Sequence, residues 1–358
     1  MIITIIVIVG LSVLILGHEL GHFAAAKLFG LRVDEFGFGF PPRVWAWRRK
    51  GNETLRRTQG ETEYSLNWLP FGGFVKIAGE NPESDMGQGT RDMEIKERKR
   101  LFSHQPAWKR VAVLVAGVAV NFLLGWWLLT ATLMIGTPSA VMVAGVAPNS
   151  PADAVGLRAG DIVRGFTTTD EFIAFIQANR GTSVAVRTVR GNGEKTFEIM
   201  PRVNPPAGEG AIGVELAATG QSPMGFGSAL WEGLKSSVYV IGLTFQALGD
   251  LLKNLLSQGK VPGDIVGPLG IVAVAQRTGS LGIAYLFELL SLISLNLAVI
   301  NLIPFPALDG GRILFLAIEK IKGSPISRRI EGIVNGVGFV LLLVLMVLVT
   351  VRDVVRWL

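Results

Sequence analysis

The chain contains no cysteine among its 358 residues. That absence excludes disulfides, thiolate metal ligands and a cysteine nucleophile, and it leaves the redox compartment unread. Charge is also scarce. Asp, Glu, Lys and Arg make up 17% of the chain, whereas soluble proteins carry about 25%. Hydrophobic residues reach 49% and mean hydropathy is +0.45. The missing charge reflects a few long apolar runs, so the composition predicts a polytopic membrane protein with one soluble insert and the lipid bilayer as its surroundings. Lys and Arg exceed Asp and Glu by only 34 to 28. These basic residues cluster beside apolar runs, which gives no reason to expect nucleic acid as a partner.

Four runs reach the length that a hydrocarbon core of about 30 Å requires. They predict transmembrane helices within 1–30, 108–136, 281–320 and 330–358. The N-terminal run has no basic flank and no small-residue cleavage site ahead of its polar motif, so it reads as a retained span rather than a signal peptide. Residues 31–80 alternate and are rich in β-formers, which predicts a small membrane-associated β-sheet; 81–107 reads as a cytoplasmic loop. An α+β domain is expected over 138–205. A juxtamembrane amphipathic segment is expected over 206–280, with 225–256 as interfacial helices rather than a fifth span. The long basic stretch between the first two spans, and the shorter one between the last two, orient both loops to the cytoplasm. The insert and both termini then face outward.

Ionisable groups inside a span are costly and functional by default. The first run carries His18-Glu19-Leu20-Gly21-His22. Positions i and i+4 share a helix face, so His18 and His22 can aim two imidazoles at one ion, with Glu19 beside them as general base. A catalytic zinc needs about three protein ligands and one open position. The best third candidate is Asp309, which ends an apolar run at a compatible depth. Pro304 and Pro306 interrupt the helix ahead of it, and broken backbone at membrane depth is tolerated where it lines a cavity. Asn296 and Asn301 on the same segment suit the gripping of a peptide backbone. Gly73 and Phe74 mark an edge where substrate could be held extended by strand addition. Asn121 reads as an interhelical packing amide and His104 as a solvated loop residue.

The phrase SPADAVGLRAGDIV resembles a bacterial PDZ domain, with Val155 where alanine is usual; one copy is present. PDZ domains take an extended segment or peptide C-terminus at a sheet edge. Taken together, HELGH in the first span, GFGF, PFGGFVKIAGE, FSHQPAWKR, AGVAVNF, the PDZ-like insert and NLIPFPALDGG resemble the site-2 protease family, of the bacterial regulator-of-sigma-E protease type. That resemblance implies an intramembrane zinc endopeptidase of the bacterial inner membrane with one Zn²⁺ per chain. His18, His22 and Asp309 would be ligands, Glu19 the acid/base, and Asn296 and Asn301 substrate-handling residues. Membrane-spanning substrates such as trimmed anti-sigma factors or remnant signal peptides follow from the same likeness. Two departures stand out: Val118 replaces the usual proline after Ala116-Gly117, and the PDZ is single where well-studied members carry two. The rival readings are a membrane zincin of the M48 kind with a soluble active site, and a non-catalytic PDZ-bearing scaffold or chaperone.

Overall fold

A computed structural model of the protein describes residues 2–48, 62–80, 98–190, 193–206, 208–258, 282–324 and 326–357, together with isolated positions between 267 and 279. Residues 81–97 of the predicted cytoplasmic loop, with Arg91 and Lys96, the basic residues Arg49, Lys50, Arg56 and Arg57 of the β-rich stretch before it, and Gly191 and Asn192 lie outside the described residues. The fold divides into two compact units, one of residues 1–129, 232–276 and 286–358, the other of 130–231 with 277–285.

The first unit is built on apolar helices. Helix α1 spans Ile2–Leu28, α2 Ala107–Ile135, α5 Phe226–Gln258, α6 Ile283–Leu302, α7 Asp309–Lys322 and α8 Arg328–Trp357. Four of them (within 3–28, 107–135, 283–302 and 329–355) are long and apolar enough to cross a membrane. This makes the chain a membrane protein. Helix α5 is not among the four, and it is one continuous helix rather than several. The expected third span over 281–320 is two helices, α6 and α7. The chain breaks after Leu302 and restarts at Asp309, because two prolines cannot continue the backbone ladder.

Small residues set how closely these helices approach. A Cβ at Gly21 would lie 2.5 Å from the Ala116 carbonyl oxygen, so glycine lets α1 and α2 touch backbone to backbone. Serine hydroxyls then tie α6 to α2. Ser291 Oγ donates to the Gly125 carbonyl and Ser294 Oγ to the Asn121 carbonyl, both at 2.7 Å. Strands β1 (Val33–Arg48) and β2 (Glu63–Ile77) form an antiparallel, repeatedly bulged hairpin. Its root holds a buried carboxylate, Glu35, which accepts 2.7 Å hydrogen bonds from Ser65, Arg43 and Lys76. Phe23 of α1 packs on Phe36 of β1 with ring centroids 5.0 Å apart, docking the hairpin on the first helix. Ala26, Leu31, Val33, Ile77, Val113 and Leu114 bury the junction.

The second unit carries a five-stranded sheet, ordered β6-β5-β4-β3-β7 with every neighbour antiparallel. Its strands are β3 (Thr137–Val146), β4 (Ile162–Val163), β5 (Val184–Arg190), β6 (Gly193–Ile199) and β7 (Val214–Gln221). The helices are α3 (Pro151–Ala154), capped by Ser150, and α4 (Thr169–Ala178), opened by a Thr168/Glu171 capping box. Val141, Val143, Phe172, Ile176, Val186 and Ile199 form the core. The sequence boundary at 205 falls short. Residues 214–221, placed in the amphipathic segment by pattern, pair with β3 as an edge strand of this sheet.

Asp161, with its side chain 1% exposed, receives the Arg190 guanidinium through two 2.6 Å bonds and the Arg158 N–H at 2.9 Å. Burial alone would raise its carboxyl pKa, but Arg190 and the Arg158 N–H outweigh burial and hold it below the ordinary value. Its contribution to stability is therefore present above the unfolded pKa of about 3.9 and is lost as pH falls through the lower folded value. We expect Asp161→Asn to lower the thermal midpoint at pH 7 and to remove part of the acid-induced loss below about pH 4. Thermal melts at the two pH values check this.

Candidate metal centre

His18 and His22 sit four residues apart on α1, both turned inward and both at most 9% exposed. Asp309 is the first residue of α7, delivered by the loop that follows α6. His18 Nε2 and His22 Nε2 are 3.1 Å apart. Asp309 Oδ2 lies 3.2 Å from the first and 3.3 Å from the second. Ligand atoms about 2.0–2.1 Å from a tetrahedral ion stand about 3.3–3.4 Å from one another, so the spacing fits one zinc. Among the described residues, no other group of three His, Cys, Asp or Glu converges in this way.

The chemistry of the donors agrees with the spacing. His22 Nδ1 lies 2.8 Å from the Val113 carbonyl oxygen, which can only accept, so Nδ1 carries the proton and a neutral ring presents the Nε2 lone pair. Asp309 Oδ2 is buried and meets no donor in hydrogen-bonding geometry among the described residues. Three lone pairs thus face one another in a setting that a cation would satisfy. The residues fit zinc.

Helix α2 makes room for this cluster. A Cβ at Gly117 would come within 2.5 Å of His22 Nε2 and 2.8 Å of His18 Cε1, so only glycine lets both imidazoles lie against that helix. The loop carrying Asp309 is held from α8, where Asn335 Oδ1 accepts the Ala307 N–H at 3.1 Å. Ala307 has φ 73°, an αL backbone that an alanine adopts only under constraint.

A cavity of about 380 Å³ opens onto the cluster, lined among others by Glu19, Phe74, Val75, Asn301 and Leu308. Glu19 Oε2 accepts the Val75 N–H of β2 at 3.1 Å, so the carboxylate is anchored beside the ligands without being one. Asn301 Nδ2 approaches His18 Nε2 to 3.4 Å. Asn296 is elsewhere: its Oδ1 accepts from Thr244 of α5 at 2.7 Å, and it does not line the cavity. Residues five apart on a helix differ by about 140°, so the two asparagines cannot serve one face. Gly73 is buried against Leu16 and the Gly37 carbonyl, where it permits close approach of β2 to α1, while Phe74 beside it lines the cavity. Among the polar lining residues, sequence reading missed Asn121 and the ion-paired Glu80 and Arg312. Arg312 had a signal, since it lies one turn after Asp309 on the same helix.

Gly117→Ala should displace both imidazoles. The expected result is a folded protein with strongly reduced zinc content by elemental analysis. Full zinc occupancy would mean that α2 does not shape the centre.

The sequence profile of peptidase family M50 matches residues 6–345. A Clostridium perfringens protein, provisionally named a zinc metalloprotease, is 34% identical over 349 residues, covering 96% of both chains. The zinc metalloprotease RasP of Geobacillus kaustophilus is 29% identical over 427 residues, covering 98% of this chain and 97% of its own. The regulator of sigma-W protease RasP of Bacillus subtilis is 28% identical over 419 residues, covering 96% of each. With three convergent donors on α1 and at the start of α7 and a profile match along almost its whole length, this chain belongs to peptidase family M50.

Proposed function

We propose that the protein is a zinc-dependent intramembrane endopeptidase that cuts transmembrane segments of other membrane proteins. The observation that carries this reading is the placement of Glu19. It sits next to His18 and His22 of the donor cluster, within a helix long and apolar enough to cross a membrane, and its carboxylate is held in the cavity by the Val75 N–H.

A bound zinc, one per chain, would acidify water toward a pKa of about 7 and polarise the scissile carbonyl. The protein's own groups supply the rest. Glu19 takes the proton from the attacking water and passes it to the leaving amine. The Val113 carbonyl keeps the His22 imidazole oriented, and the Val75 N–H holds the Glu19 carboxylate. Asn301 and Phe74, facing the same cavity, grip a substrate that must be locally extended, because a helix shields its own carbonyls. Substrates of the trimmed anti-sigma-factor or remnant-signal-peptide type suit such a site, and the name of the Bacillus relative points the same way.

The Lys/Arg distribution supports an orientation with the catalytic end toward the cytoplasm and the insert outside, and the likeness to bacterial M50 relatives supports the bacterial inner membrane. We read the insert as a PDZ domain, based on SPADAVGLRAGDIV and its compact antiparallel sheet. Its part would be to bind an extended segment or C-terminus of a partner, or to exclude bulky substrates. The scaffold reading leaves the Glu19 and Asp309 geometry without a purpose.

Glu19→Gln should retain zinc and fold while lowering cleavage of a model transmembrane substrate in detergent by about 10²–10⁴-fold. Cleavage unaffected by this change would sink the proposal. Asp309→Asn should weaken zinc retention; unchanged metal content would mean that the third ligand lies elsewhere.

A further inference from the structure

Asn121 lies in the middle of α2, 1% exposed, within a span where an unpaired amide is costly. Its side chain does not serve helix packing in the way its sequence position suggests. The bond that ties α2 to α6 at this point uses the backbone carbonyl of Asn121, which accepts from Ser294 Oγ. The amide instead turns to the other side, where Nδ2 lies 3.2 Å from His18 Nδ1. Its Oδ1 is buried with no hydrogen-bond partner among the described residues.

A neutral imidazole has one N–H and one lone pair. With the amide nitrogen facing it, Nδ1 must accept, the ring proton moves to Nε2, and His18 cannot ligate a metal. With the amide turned through 180°, Oδ1 accepts the Nδ1–H, Nε2 keeps its lone pair toward His22 and Asp309, and Oδ1 is no longer orphaned. The two helices run antiparallel here. His22 meets the Val113 carbonyl and His18 meets Asn121, with Gly117 between them against both rings. Helix α2 would therefore supply the same service to both ligands, once from backbone and once from a side chain.

We propose that Asn121 is a positioning residue of the metal centre, its side-chain carbonyl accepting the Nδ1–H of His18 and holding that ring in the metal-ligating tautomer. This rests on the zinc reading above. Groups of this kind, lying behind a ligand, typically change metal affinity 10–100-fold when removed.

The test is zinc affinity of the full-length protein in detergent, measured by chelator competition, with the absorption spectrum of the cobalt-substituted protein as a second readout. Asn121→Leu should lose 10–100-fold in affinity and shift the cobalt bands. Asn121→Asp, which still accepts from Nδ1–H, should bind zinc as tightly as the natural protein or more so. Ser294→Ala loosens the helix contact at the same residue without touching the amide and should leave affinity unchanged. Unaltered affinity in Asn121→Leu overturns the proposal. So does a loss in Asn121→Asp, a result that stands even if the leucine variant fails to fold, or an equal loss in Ser294→Ala. Failure of the natural protein itself to bind zinc would overturn the underlying function as well, so the two failures are told apart.

Discussion

Two imidazole nitrogens and a carboxylate oxygen face one another at 3.1 to 3.3 Å inside a bundle of apolar helices. Much of the first unit follows from keeping them there. Lone pairs that close repel unless a cation lies between them. The surrounding structure therefore has to supply rigidity. Gly21 and Gly117 bring α2 against α1, the prolines break α6 so that Asp309 can restart the chain at the right place, and Asn335 of α8 holds the strained turn ahead of it.

The same packing decides what kind of chemistry is possible. Glu19 is anchored to the β2 backbone at Val75, so the hairpin next to the cavity and the proposed catalytic base belong to one assembly. That hairpin is fixed to α1 by Phe23 and Phe36 and to itself by the buried Glu35 network. A peptide lying along Phe74 and Val75 would be presented to the base by the element that positions the base. Cleavage of an unwound transmembrane segment, as proposed, is consistent with this layout, because Glu19 lies within a helix long and apolar enough to cross a membrane and the cavity is lined by both polar and apolar groups.

The parts of this site that were legible in the sequence are those whose signal is local. His18, Glu19 and His22 lie within one helical turn of each other, and an apolar run around them makes their cost plain. Asp309 could be inferred from depth counting because the proline break announces itself. The four spans follow from hydropathy and length. What could not be read depends on distant partners. Asn121 meets His18 across 103 residues, and nothing in its apolar neighbourhood separates a ligand-orienting amide from a packing one. Asn296 and Asn301 look equivalent in a linear motif, yet helical rotation sends one to α5 and the other to the cavity. Strand β7, VELAATGQ, has little alternation and few large apolar residues. Its identity as a strand comes from pairing with β3, more than 70 positions earlier in the register at Ala140 and Thr219.

The proposed chemistry depends on one zinc held by two imidazoles and one carboxylate drawn from α1 and the start of α7. X-ray absorption at the zinc edge of the purified protein tests it most directly. The expected spectrum has nearest neighbours of nitrogen and oxygen only, at about 2.0–2.1 Å, with more distant scattering from two imidazoles that persists when Glu19 is replaced by Gln. A spectrum showing fewer than two imidazoles, or a protein that retains no zinc after purification in metal-replete buffer, would contradict it.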